Sequence, residues 1–460
     1  MRPRDWLPFA GVGGLLGAAF AFSPGAVSMV AVAALIARAL YRHGGRSPSD
    51  RRFVVWLFLI GFAVRVMLSL ALDLGSWYVE KQWPHQTALY SWDVGAVDRT
   101  RAYVKMGDSD YIALRGYALA QYAIGVREPD VISRVHQSYG RNGYSYVVGA
   151  FYSLFGYSPI AVKFLNCLLG ALLGPAVFFL SRACFHAEIA RMAGVTAGFF
   201  PSVMLWSAAN LKEPSIVLLA VVILWLCRRM QQASQRGARL AAAAGIACAL
   251  AVLCAFRSPA FAVPLAGCAV LAWGRSWQRR IGWWLAGLLI VASGVAFVWG
   301  RPMLSRMFVV HSGHVTTPGI SYAFLPDALY TSELWEWAQH KYVDWPVIVA
   351  IGKAILHYLL EPFPWRMDNV LAVLVYPQMV LWYALLPFAL LGIVVAVRSN
   401  IQRTFGLVLT LAGWVIIGAL TSGNVGTAFR MRDMVTPFFL IFACAQLWTL
   451  THEDHLKRSG

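Results

Sequence analysis

The stretch PIAVKFLNCLLGALLGPAVFFLS, residues 159–181, decides the fold class. It is apolar and long enough to cross a membrane as a helix, which takes about 17–25 residues. Similar runs recur near 7–23, 25–41, 53–74, 187–207, 214–229, 238–256, 259–274, 281–299, 371–397, 404–421 and 434–451. Together they predict about twelve spans, give or take about two, because short spans and re-entrant segments read alike. The expected fold is an all-α integral membrane protein.

Composition agrees. Of 460 residues, 59% are hydrophobic and 13% charged, where a soluble protein carries roughly a quarter charged residues. Mean hydropathy is +0.60. The formal net charge is +18, but the cations fall in short connections between apolar runs. Arg2 and Arg4 precede the first run, and Arg42, Arg46, Arg51 and Arg52 follow the second. Arg228, Arg229, Arg236 and Arg239 fill another connection, Arg275, Arg279 and Arg280 the next, and Arg398, Arg403, Lys457 and Arg458 complete the set. That is the positive-inside pattern and not a nucleic-acid patch, so no nucleic-acid partner is expected. It places both termini in the cytoplasm, with 1–52 as a transmembrane hairpin plus basic loop and 452–460 as a tail. Residues 1–22 imitate a signal peptide, but the second apolar run favours a retained hairpin. The seven cysteines lie in or beside apolar runs without a CxxC, and read as buried apolar residues.

Two long segments, 75–158 and 300–370, fall on the opposite, non-cytoplasmic face. Loops of that length are often functional. The first contains KMGDSDYIALRGYALAQ, residues 105–121. Asp108 and Asp110 sit two apart beside Tyr111, and Ile112, Leu114, Tyr117, Ala118 and Tyr122 follow at helical spacing. The pattern predicts an amphipathic helix along the membrane surface with two carboxylates at its start; an ordinary capped surface helix reads the same way. The second segment contains a helical stretch at Pro346–Leu360.

Further charges sit at span ends on that face: Lys212 and Glu213 before Pro214, Arg257, Glu361 and Arg366 in EPFPWR, and Arg430 and Arg432 in FRMRD. Each alone is a snorkelling interface charge as readily as a site residue. Jointly they are less ordinary, because charge near the membrane core is costly. A carboxylate can take a proton from a hydroxyl nucleophile. Arg and Lys can bind a phosphate and stabilise it as it leaves. Together these fit sugar transfer from a lipid-phosphate carrier to an acceptor hydroxyl.

At this point the chain resembles the GT-C superfamily of polyprenyl-phosphate-sugar-dependent glycosyltransferases, the branch with protein O-mannosyltransferases and lipid A aminoarabinose transferases. GFAVRVMLSL with Arg65, GDSDYIALRGYALA, the run from Gly143 to Pro214, and NVGTAFRMRDMVTPFFLIFA follow the family's order of span, first-loop acid, second acidic site and closing Arg-rich turn. The resemblance covers most of 53–450 and implies a GT-C-like catalytic domain over 53–451. It implies Asp108 or Asp110 as the base, Glu213 as the second acid, and Arg430 or Arg432 on the phosphate; Tyr111, Lys212, Arg257 and Arg366 complete the expected substrate-binding set. Many members have adjacent Asp-Glu where this chain has Asp-Ser-Asp, so the choice of base stays open.

The implied partners are a polyprenyl-phosphate-linked sugar donor, a glycan, lipid or protein acceptor, and membrane lipids, in a bacterial inner membrane. No cofactor is required by any motif; a divalent metal at His311 and His314, an HxxH, is compatible with the second loop but weakly signalled. A transporter of polysaccharide or lipid-linked glycan is the alternative from another class. It would carry symmetric halves and mid-span charges, whereas the charges singled out here sit at span ends and the two long loops are unequal. An O-antigen polymerase or ligase using a diphosphate-linked donor would look similar.

Overall fold

A computed structural model describes residues 21, 23–45, 47–82, 109–136, 142–257, 262–273, 345–365, 370–422 and 425–458. Among them all regular structure is helical. The helices are α1 (Pro24–His43), α2 (Pro48–Gln82), α3 (Ser109–Ala123), α4 (Pro129–His136), α5 (Gly143–Phe155), α6 (Pro159–Cys184), α7 (Ala187–Gly198) and α8 (Pro201–Ser207). Then come α9 (Glu213–Gln232), α10 (Arg236–Phe256), α11 (Ala262–Trp273), α12 (Trp345–Leu360), α13 (Val370–Thr421), α14 (Val425–Met431), a 3-10 turn (Arg432–Met434) and α15 (Thr436–Arg458).

Among the described residues six helices are long and apolar enough to cross a membrane, or up to eight if each of two bent pairs is one span. These correspond to eight of the twelve expected runs. The runs at 7–23 and 281–299 lie outside the described residues. The 214–229 run is helical within α9, which opens on Glu213 and holds Arg228 and Arg229 near its other end, and the 259–274 run gives only the short apolar helix Ala262–Leu271.

The chain divides into two compact units. The first comprises Met1–Phe178, Gly194–Leu219 and Ala251–Pro259. Here α1 begins with Pro24, which needs no N–H partner, and Ser23 Oγ accepts from Ala26 N at 3.3 Å. Its Ala33 and Ala37 pack with Phe58 and Phe62 of α2 and Cys167, Leu168 and Ala171 of α6. Within the 105–121 stretch the described residues, from Ser109 on, form a helix, α3. Its Ile112, Ala113, Arg115, Ala118 and Ala120 are buried, so it is packed more widely than the single apolar stripe expected. Small residues permit this. A Cβ on Gly116 would lie 2.4 Å from Val148 Cγ1, so only glycine lets α3 approach α5 there.

The same unit contains the break at α7 and α8, which bend by 51°. Pro201 opens α8 and has no N–H to continue the ladder. Arg65, fully buried on α2, answers the break: Nη2 donates to Gly198 O at 2.6 Å, Nε to Ser207 Oγ at 2.8 Å, and Nη1 to Gly61 O at 3.0 Å. Irregular backbone at membrane depth needs such a partner.

The second unit comprises Phe179–Ala193, Ala220–Leu250 and Ala260–Gly460. Its longest helix, α13, holds two apolar spans, Val375–Ser399 and Ile401–Ala419. Thr404 Oγ1 reaches Ala396 O, eight residues back, at 3.1 Å. A straight helix separates those groups by more than two turns, so the axis breaks near Asn400, where the Arg398–Arg403 connection was expected. Trp382 of α13 stacks on Phe439 of α15 at 4.1 Å between ring centroids. Of the seven cysteines, all free, five are buried as expected, but Cys248 and Cys254 on α10 are exposed.

Candidate functional site

In the first unit a polar seam runs along one face of α6, through Lys163, Asn166 and Gly170 at i, i+3 and i+7. Lys163 Nζ donates to Asp73 Oδ1, near the end of the apolar part of α2, and both side chains are largely buried. One turn on, Asn166 Nδ2 donates to Ala209 O and Leu211 O, each at 2.7 Å. Gly170 then makes room for Ser207 and Arg65, which a Cβ would meet at 2.3 and 2.9 Å.

The Tyr144 hydroxyl lies between the two asparagine oxygens, 2.9 Å from Asn166 Oδ1 and 3.2 Å from Asn210 Oδ1. Asn210 Nδ2 donates to Ser109 O, the first residue of α3, at 3.5 Å. Burial pushes the Tyr144 phenol up in pKa, partly offset by its bond to Asn166, and the Glu213 carboxylate pushes the same way as burial. The Tyr144 ring meets Phe256 edge-on at 5.6 Å, one residue before Arg257.

Among the expected site residues, Glu213 is buried and opens α9, where a carboxylate suits the helix N-terminus. Lys212 and Arg257 are half-buried in the same unit. Tyr111 is half-buried, and its hydroxyl accepts from Arg115 Nη1 at 3.4 Å. Asp110 is the second residue of α3, but its side chain, and Asp108 altogether, lie outside the described residues. Through Asn210 the structure does bring the start of α3 and the turn leading to Glu213 into one hydrogen-bonded cluster.

Arg430, half-buried, and Arg432, buried, belong to the second unit. Arg432 Nε donates to Tyr358 O at 3.0 Å, Nη1 to Met379 Sδ at 3.0 Å, and Nη2 to Glu361 O. Arg366, His311 and His314 lie outside the described residues. Among the described residues no three or more His, Cys, Asp or Glu side chains are grouped to hold a metal ion.

Asp73, Lys163, Asn166, Asn210 and Tyr144 were not singled out from sequence as site residues. The available signal was an ionisable or amide side chain inside an apolar run, which is costly unless partnered. Asp73 in ALDLG and Lys163 and Asn166 in VKFLN carry that signal.

A membrane chain whose described regular structure is all helical, with buried carboxylates at helix ends, fits the GT-C class of glycosyltransferases, and that resemblance is supported over residues 143–299. Those residues match the family described as dolichyl-phosphate-mannose-protein mannosyltransferase. The match includes Tyr144, Lys163, Asn166, Asn210 and Glu213, and leaves out 1–142 and 300–460. A crystal structure of the Archaeoglobus fulgidus oligosaccharyltransferase is similar at 15% identity and a TM-score of 0.39, over 87% of this chain and 51% of that one. The chain thus spans about half the length of that protein. No curated protein matches.

Proposed function

We propose that this protein is a membrane glycosyltransferase that moves a sugar from a polyprenyl-phosphate carrier to an acceptor hydroxyl. The observation that carries the reading is the buried Tyr144–Asn166–Asn210 network fixing the turn into Glu213, inside the segment that matches a sugar-transferring family. A carboxylate from the first loop, Asp108 or Asp110, takes the acceptor proton as the new glycosidic bond forms. Asp73, paired with Lys163, is a third carboxylate available to the same unit. Glu213 holds the acceptor or a sugar hydroxyl. Cations stabilise the departing phosphate, and Lys212, Arg257, Arg366 and Arg430 are assigned to that group and its sugar. Tyr111 completes the substrate-binding set. Arg432 is assigned to holding the protein framework, since its three guanidinium nitrogens already donate within the second unit. The acceptor is a glycan, lipid or protein. The reading puts the reaction on the non-cytoplasmic face of a bacterial inner membrane, with both termini cytoplasmic.

The test is a donor screen with the purified full chain in lipid, comparing polyprenyl-phosphate sugars, polyprenyl-diphosphate glycans and nucleotide sugars. Transfer from the monophosphate carriers alone is expected. Transfer from the diphosphate carriers alone would make it a polymerase or ligase. Movement of a lipid-linked glycan across vesicles without transfer would make it a transporter.

A further inference from the structure

We propose that Trp365, a residue given no part in the transfer itself, is a stacking platform for a pyranose ring in the second unit. The chain leaving α12 is held with unusual completeness. The carbonyls of five consecutive residues, 358–362, each lie within hydrogen-bond distance of a side-chain donor, two of them sharing the one hydroxyl of Tyr383. Arg432 Nε takes Tyr358 O, Trp382 Nε1 takes Leu359 O at 2.8 Å, and Arg432 Nη2 takes Glu361 O. The Tyr383 hydroxyl lies 2.6 Å from Leu360 O and 2.9 Å from Pro362 O. Beneath the turn the buried Glu361 carboxylate pairs one oxygen with His357 Nδ1 at 3.0 Å and accepts from Phe363 N at 3.1 Å with the other.

That carboxylate fixes two rings. His357 meets Phe363 edge-on at 5.6 Å, and Phe363 stacks on Trp365 at 4.8 Å with only 7° between planes. Phe363 covers one face of the indole, yet Trp365 remains 75% exposed. The outcome is a flat aromatic face, open and already oriented. Ordering a side chain on binding costs free energy, and here that ordering precedes the ligand.

An indole anchored in lipid works by partition into the interface and needs no fixed plane. Two charges, Arg366 and Asp368, follow Trp365 within three residues in sequence, which makes acyl chains a costly setting for Trp365. A pyranose offers one flat C–H face to a ring and hydroxyls at its rim, and an open indole accepts that face. The choice of a sugar rests on the transferase reading. The test does not, because it measures binding without turnover.

The full chain in lipid nanodiscs is titrated with octyl β-D-mannopyranoside, and with tetraethylene glycol monooctyl ether as a probe of equal alkyl length without a pyranose. Saturation-transfer NMR reads the ring and alkyl protons separately. Ring-proton transfer is expected in the wild type, weakened roughly tenfold in Trp365→Ala, partly kept in Trp365→Phe, and unchanged in Trp56→Ala, another exposed indole. Unaltered ring signals in Trp365→Ala overturn the proposal. So does loss of alkyl signal for both probes alike, which identifies a lipid anchor. Absence of transfer from any polyprenyl-phosphate sugar, with ring signals still dependent on Trp365, would sink the transferase reading and leave the subsite standing.

Discussion

Asn166 offers a sharp test, because shape and hydrogen bonding make opposite forecasts there. Its amide donates to Ala209 O and Leu211 O at 2.7 Å, and its carbonyl faces the Tyr144 hydroxyl at 2.9 Å. Asn166→Ala leaves two buried carbonyls without that donor. An unsatisfied buried acceptor costs about 1–3 kcal/mol in protein interiors, whereas side-chain hydrogen bonds in one membrane protein average about 0.6 kcal/mol. For two bonds the loss lies between about 1 and 6 kcal/mol. Asn166→Asp keeps the shape but turns a carboxylate oxygen toward both carbonyls and buries a charge, a cost beyond the missing bonds. The expected order of thermal unfolding midpoints in detergent is wild type, then Ala, then Asp. Turnover should fall in both variants, because the 209–211 turn leads directly into Glu213. An Asp variant melting at or above the Ala variant would refute the assignment of this amide as the clamp on that turn.

Asp108→Asn or Asp110→Asn is expected to lower product formation by about two to four orders of magnitude, the worth of a positioned base; full activity in the double variant would remove the first-loop acid from the mechanism. Arg432→Ala should cut the yield of folded protein, since it strips donors from two carbonyls in the interior, and Arg432→Lys should recover only part, lacking the planar fork. Arg430→Ala should fold normally and weaken donor use. Gly116→Ala should destabilise by about 1–3 kcal/mol through overpacking against Val148, with Val148→Ala relieving part of it. A reporter fused after Arg127 should behave as exported and one after Arg236 as cytoplasmic; the reverse would overturn the orientation.

The apolar runs located most helices because length and hydropathy are local properties. Their starts were legible too: Pro24, Pro48 and Pro159 each open a helix, where a missing N–H costs nothing. The break inside 187–207 was signalled by Pro201 but merges with its neighbours in any window long enough to detect a span. The pairing of Asp73 with Lys163, and of Asn166 with a turn over forty residues away, is tertiary. Single polar residues in apolar runs announce that a partner exists without naming it. Arg430 and Arg432 read alike in FRMRD, yet one is half-buried and the other enclosed. Two residues apart on a helical turn, they point in different directions.

The buried arginines follow one rule that sequence position conceals. Arg65 donates to Gly198 O, Arg115 to Val135 O, Arg228 to Ala183 O, and Arg432 to Tyr358 O. These four carbonyls lie in the last turns of α7, α4, α6 and α12. Helix ends leave their final carbonyls unpaired and carry partial negative charge, so a guanidinium is suited to both deficits. In a chain that presents many helix ends away from water, some supply of cations must go to this task. An Arg at a span end that already donates to a helix's last carbonyls is therefore weak evidence of a substrate site, and a carboxylate at a helix start, such as Glu213, is open to the matching N-terminal reading. Among the described cations, the half-buried Lys212, Arg257 and Arg430 are better placed than any enclosed arginine to meet a phosphate arriving from outside.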